Sequence, residues 1–124
     1  MEIDQKTRKT VLRQFRSGGV DAVDLGEGVK IIIQHYRYDK VTNELKRYKR
    51  NGPKDEDGNR WKPEFSPTTH GGQTVCVIVD GGEQIAHGIA VCHGLKTHEE
   101  PVDQYNYKIG AHIAFGRALD KLVS

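Results

Sequence analysis

The chain is short of several things that would narrow its chemistry. It has only two cysteines in 124 residues, Cys76 and Cys92. Met1-Glu2-Ile3-Asp4 opens without the apolar core of a secretory signal. No stretch approaches the roughly 18 apolar residues of a membrane span. A cytoplasmic chain with reduced thiols and no membrane contact is therefore expected. An excess of one charge is also missing: 19 basic against 17 acidic residues leave +2. That balance excludes a nucleic-acid binder recognisable by charge alone, and equally an acidic mimic of DNA. Any electrostatic function must lie in local patches.

Catalytic signatures are absent too. There is no P-loop, no G-x-S-x-G, no H-E-x-x-H and no C-x-x-C. Cys92 and His93 are neighbours, and on a strand they would point to opposite faces. Cys76 opposite His87 offers better geometry for a thiol and its base, yet a buried cysteine is most often a small hydrophobe. His87, His93 and His98 with the two cysteines follow no familiar zinc spacing, and a structural site needs four convergent ligands. The expectation is a binding protein, with no catalytic residue, no metal and no cofactor.

What is present suffices for one domain, numbered 1–124. A chain of this length buries roughly two-thirds of its unfolded surface. The 14 glycines sit between apolar runs, which implies turns and close backbone contacts rather than disorder. Asp4 to Arg16 reads as a helix capped by Asp4, with Ile3, Val11, Leu12 and Phe15 along one stripe. Gly18-Gly19 ends it, and Lys6, Arg8 and Lys9 mark its solvated face. Val20–Leu25 and Val29–Tyr38 read as strands joined by Gly26-Glu27-Gly28. Asp39–Asn43 resembles a hairpin loop leading into a third strand, Glu44–Arg50. Asn51–Gly72 holds three of the four prolines and the acidic run Asp55-Glu56-Asp57, and reads as a long loop.

Gln73–Asp80 and Glu83–Cys92 form a hairpin about Gly81-Gly82. Pairing Asp80 with Glu83 would place Ile78 opposite Ile85 and Cys76 opposite His87. Both faces of that hairpin are apolar, so a central position covered on both sides is expected. Asp103 to Leu122 reads as a second helix with Asp103 as its cap. It has one stripe of Tyr105, Ile109, Ile113 and Leu119, and another of Ala111, Phe115, Ala118 and Leu122. Gly110 and Gly116 each cost about 1 kcal/mol inside a helix, and close approach of another backbone would compensate. The fold class is α+β: one antiparallel sheet of about five strands flanked by an N-terminal and a C-terminal helix.

The strongest local chemistry runs from His35 to Lys62. Tyr36, Arg37, Tyr38, Lys46, Arg47, Tyr48, Lys49, Arg50, Arg60 and Trp61 interleave cations with rings. Such a pattern suits phosphate attraction and base stacking, or an exposed edge strand guarded by charge. Arg37 would share a face with His35, and Tyr36 with Tyr38. In the second helix, Lys108 lies one turn from His112, and Arg117 one turn from Lys121. Arg117 sits in an apolar stretch, where a partly buried guanidinium needs an anion, from Asp120 or Asp103 or from a ligand.

Gly88-Ile89-Ala90-Val91-Cys92, then Asp103-Gln104-Tyr105-Asn106, then Lys108-Ile109-Gly110 and Ile113-Ala114-Phe115-Gly116-Arg117-Ala118-Leu119 resemble a pattern of small phage and prophage proteins. The resemblance covers about Gln73 to Leu119, with His93–Val102 as a longer spacer, and carries over no ligand residue. It implies an accessory protein that disarms bacterial immunity. Anti-CRISPR proteins do so by binding effector complexes, and Thoeris anti-defence sponges by sequestering nucleotide signals as oligomers. The expected partner is thus a host defence effector protein or its nucleotide signal, bound stoichiometrically. The twin glycines and doubled stripes of the second helix suggest a homodimer. The alternative is a nucleic-acid-binding accessory protein.

Overall fold

The computed structural model describes residues 3–15, 20–48, 56–57, 65–92 and 105–122. Its elements run α1 (Gln5–Phe15), β1 (Ala22–Gly26), β2 (Val29–Tyr38), β3 (Leu45–Tyr48), β4 (Gly72–Asp80), β5 (Glu83–Cys92) and α2 (Tyr107–Leu122). The five strands form one antiparallel sheet ordered β1-β2-β4-β5. β3 pairs with the second half of β2, on the same side as β1. This is the α+β architecture expected from the hydrophobic periods.

Alternation along β2 and β4 decides which face is buried. Ile31, Ile33, Cys76 and Ile78 point inward and are fully covered. They meet Val11 and Phe15 of α1, and Ala111, Ala114, Phe115 and Ala118 of α2. Both helices therefore lie on one face of the sheet. Two glycines let α2 come close. A Cβ on Gly88 of β5 would overlap backbone atoms of Ala114 and Ala118, and one on Gly110 would overlap Thr74 of β4. At Gly110 the close approach is made within the chain by the Thr74 side chain and not by the backbone expected there, whereas Gly116 faces open space.

Local signals set the element ends. The Thr7 amide donates to the Asp4 carboxylate at 2.7 Å, which caps α1 as expected. Asp4→Ala should lower stability, read as a fall of the urea midpoint with an unchanged slope. At α2 the cap is Asn106, whose side-chain oxygen accepts from the Ile109 amide at 3.0 Å. The helix starts at Tyr107, and the expected cap Asp103 lies outside the described residues, as do Gly18 and Gly19.

The β4–β5 hairpin turns at Gly81-Gly82, whose φ values of 60° and 84° suit a mirror-image two-residue turn. Asp80 does pair with Glu83, but a bulge then displaces the register. Ile78 faces Ala86 instead of Ile85, and Cys76 faces Gly88 instead of His87. The extra residue is Ile85, and one inserted residue exchanges every partner beyond it. A second correction concerns the hairpin's place. Only β4 is central. Among the described residues β5 is an edge strand, and its outward residues Ile89 and Val91 are exposed.

Candidate functional site

The expected outward array of cations and rings on β2–β3 is not what forms. Arg37 shares the inner face with His35, as its parity requires, and is 7% exposed. Tyr48 stands opposite His35 on that face. Tyr105 and Tyr107, at the start of α2, close over them. The Arg37 guanidinium lies 4.4 Å from the Tyr105 ring centre, 5.5 Å from that of Tyr48 and 5.7 Å from that of Tyr107. It donates to the Tyr107 hydroxyl at 2.8 Å and to the Thr68 carbonyl. Cation–π contact replaces the carboxylate that a buried cation otherwise requires.

Below it, His35 Nδ1 is 2.7 Å from the Tyr105 hydroxyl and 3.1 Å from the Thr74 hydroxyl. Those two hydroxyls are 2.8 Å apart, and that of Tyr105 also donates to the Gln73 carbonyl. His35 is 3% exposed. Burial, and then the nearby Arg37 charge, hold its pKa down at about 4, so it is neutral at pH 7. Burial likewise raises the Tyr105 and Tyr107 hydroxyls. This cluster fastens the start of α2 to the sheet.

The other two described cations of that array are partnered. Lys46 pairs with Asp39 at 3.0 Å, and Arg47 with Asp21 at 3.1 Å. Hydrogen bonds from the Val41 amide, and then from Lys46, hold the Asp39 carboxyl below its usual range. Tyr36 and Tyr38 do face outward, and the Tyr36 hydroxyl donates to Gln34. Lys49, Arg50, Arg60 and Trp61 lie outside the described residues, as do Asp55, His93 and His98. Arg117 is exposed and not buried in the apolar stretch. It reaches over the β5 edge and donates to the Ile89 carbonyl, with neither Asp120 nor Asp103 as its partner among the described ion pairs.

Lys108 is placed differently. The packing of α1 beside α2 brings it to a groove of about 380 Å³ with Lys9 and Arg13 of α1, and with His112. Leu12, Ile109 and Ile113 complete the lining. None of Lys9, Arg13 and Lys108 has an ion-pair partner among the described residues. Lys9 and Arg13 are cations one turn apart, an arrangement that costs a helix roughly 0.2–0.5 kcal/mol. Ile109 is 57% exposed and Ile113 39%. On their other side lies a second pocket of about 240 Å³, between the start of α2 and the end of β5.

No family model, curated protein or solved structure matches the chain. Geometry alone therefore ranks the candidates. The thiol pair fails: Cys76 is fully buried opposite Gly88, and burial pushes its pKa up to about 12. Among the described residues no three His, Cys, Asp or Glu side chains converge to hold a metal, and no helix is long and apolar enough to cross a membrane. The groove between the helices brings three cations without an ion-pair partner among the described residues beside exposed aliphatic surface. Its sequence signal was the spacing of four residues in Lys9/Arg13, Lys108/His112 and Ile109/Ile113.

Proposed function

We propose that this protein acts by stoichiometric binding, without catalysis, on an acidic surface of a bacterial defence component. The observation that supports this is the groove's set of three cations, Lys9, Arg13 and Lys108, with no acidic partner among the described residues. An anion placed there relieves their mutual repulsion and loses little, because the cations give up no internal pair. The phage-like pattern of the C-terminal third supplies the biological setting, and α2 carries the last part of that pattern together with half of the groove.

The test is capture from bacterial lysate by the immobilised protein, read with native mass. Wild type is expected to retain a stoichiometric partner at physiological salt. Lys9→Glu combined with Lys108→Glu should weaken retention by roughly tenfold or more, because reversed charges oppose an acidic surface. Its melting temperature should stay close to wild type, since neither side chain is paired internally. Retention that survives the double reversal would overturn the reading.

The same cations favour a second reading, nucleic-acid binding. Affinity for an oligonucleotide would fall steeply with salt, at a slope set by the phosphates neutralised. A shape-matched protein contact responds far less.

A further inference from the structure

We infer that the α1–α2 face receives an amphipathic helix of a partner protein, with an aliphatic stripe bordered by acidic side chains. This rests on the proposed binding function and names the occupant. Two properties of the face point to it. The first is its mixed chemistry. Ile109 and Ile113 are exposed by 57% and 39%, and depressions lie on both sides of them. Water contact at those side chains is relieved by apolar groups, which a phosphate backbone lacks. The one ring among its lining residues is the His112 imidazole, and no Phe, Tyr or Trp side chain is there to give successive bases a stacking platform. The aliphatic ridge and the unpaired cations call for a partner that is aliphatic and acidic together.

The second property is spacing. Lys9 and Arg13, Lys108 and His112, and Ile109 and Ile113 each lie one helical turn apart. A third helix laid beside α1 and α2 repeats its own side chains at that interval. Its aliphatic residues can then meet the ridge while acids at the same repeat meet the cations. An extended peptide repeats its same-face side chains every ~6.7 Å against ~6 Å for four residues of helix, so its register drifts from that of the face as the contact lengthens.

The experiment titrates the full chain with three probes. One is a peptide of roughly 18 residues, about five turns, with leucines on one stripe and glutamates bordering it. Another is its scrambled isomer, which has the same charge and composition but no stripe. The third is a short single-stranded oligonucleotide. The amphipathic peptide is expected to bind at least tenfold tighter than the isomer and to gain helicity on binding. Ile109→Ser with Ile113→Ser should erase that preference. Both side chains are only partly covered, so the melting temperature should fall by a few degrees, and an unchanged circular dichroism spectrum would show that the fold is kept. Lys9→Glu with Lys108→Glu should weaken both peptides. Equal binding of the two peptides would overturn the helix inference and leave anionic binding standing. Binding of the oligonucleotide alone would overturn it in favour of the nucleic-acid reading. If no probe binds and the lysate yields no partner, the inference and the function on which it rests fall together.

Discussion

Gly88→Val should cost about 3 kcal/mol of stability, the upper end of what an overpacked site loses. Any Cβ at position 88 falls on backbone atoms of Ala114 and Ala118 and on the Arg117 side chain. A side chain can rotate away from a clash, but a helix backbone moves only as a body. α2 would have to lift from β5, breaking the contacts of Ala114, Phe115 and Ala118 with the core. For a chain of this size the thermal midpoint should fall by roughly 10–15 °C. Gly116→Ala is the internal control. Its Cβ would meet nothing within 4 Å, so the gain in helix propensity, up to about 1 kcal/mol, should appear undiminished. Opposite shifts at these two glycines would verify the seating of α2. An unchanged midpoint in Gly88→Val would refute it.

Stability should also fall as pH drops from about 6.5 toward 4, through His35. An unfolded imidazole titrates near 6.5, whereas burial beside Arg37 holds the folded one at about 4. Between those values the unfolded chain binds the extra proton, so acid favours unfolding. The contribution is complete above about pH 6.5 and lost by about pH 4, and it amounts to roughly 3 kcal/mol. Below that window His35 is charged in both states and adds nothing further. Denaturant titrations at pH 7, 5.5 and 4 would read it. His35→Gln, which keeps a neutral hydrogen-bonding group, should flatten the difference across the window. A wild type as steep as the variant would place the titration elsewhere. His35 and Arg37 tie Tyr105 and Tyr107 to the sheet. Their loosening should free the start of α2, where Lys108 and Ile109 stand, so binding at the groove should weaken as the pH approaches about 4, where the folded His35 gains its proton.

Much of the architecture was legible from periodicity. Val29–Tyr38 was read to the residue, because a β-branched run, Val29 and Ile31 to Ile33, follows the Gly26-Glu27-Gly28 turn and the strand ends at the Asp39–Asn43 loop. Asp4 announced the start of α1 through its capping chemistry. The β4–β5 turn was equally plain in Gly81-Gly82, yet its register was not. A bulge is one extra residue with no composition of its own, and Ile85 is as good a strand residue as its neighbours. The start of α2 was displaced because Asp103 and Asn106 are both competent caps, and only packing chose between them.

The binding residues divide the same way. Parity placed Arg37 on the face of His35, but a strand has two faces and local sequence does not say which one the helices cover. Once α1 and α2 lay on the His35 face, Arg37 and Tyr48 became interior, and Lys46 and Arg47 found Asp39 and Asp21. Lys9 read as ordinary solvated charge, because on α1 alone it is that. Sequence by itself determined which elements form and which residues share a side, since those follow from backbone geometry within a few residues. Only tertiary packing decided which side is buried and which cations from distant segments meet. Those outcomes depend on packing between segments about a hundred positions apart, such as those that bring Lys9 and Lys108 to one groove, which no local period encodes.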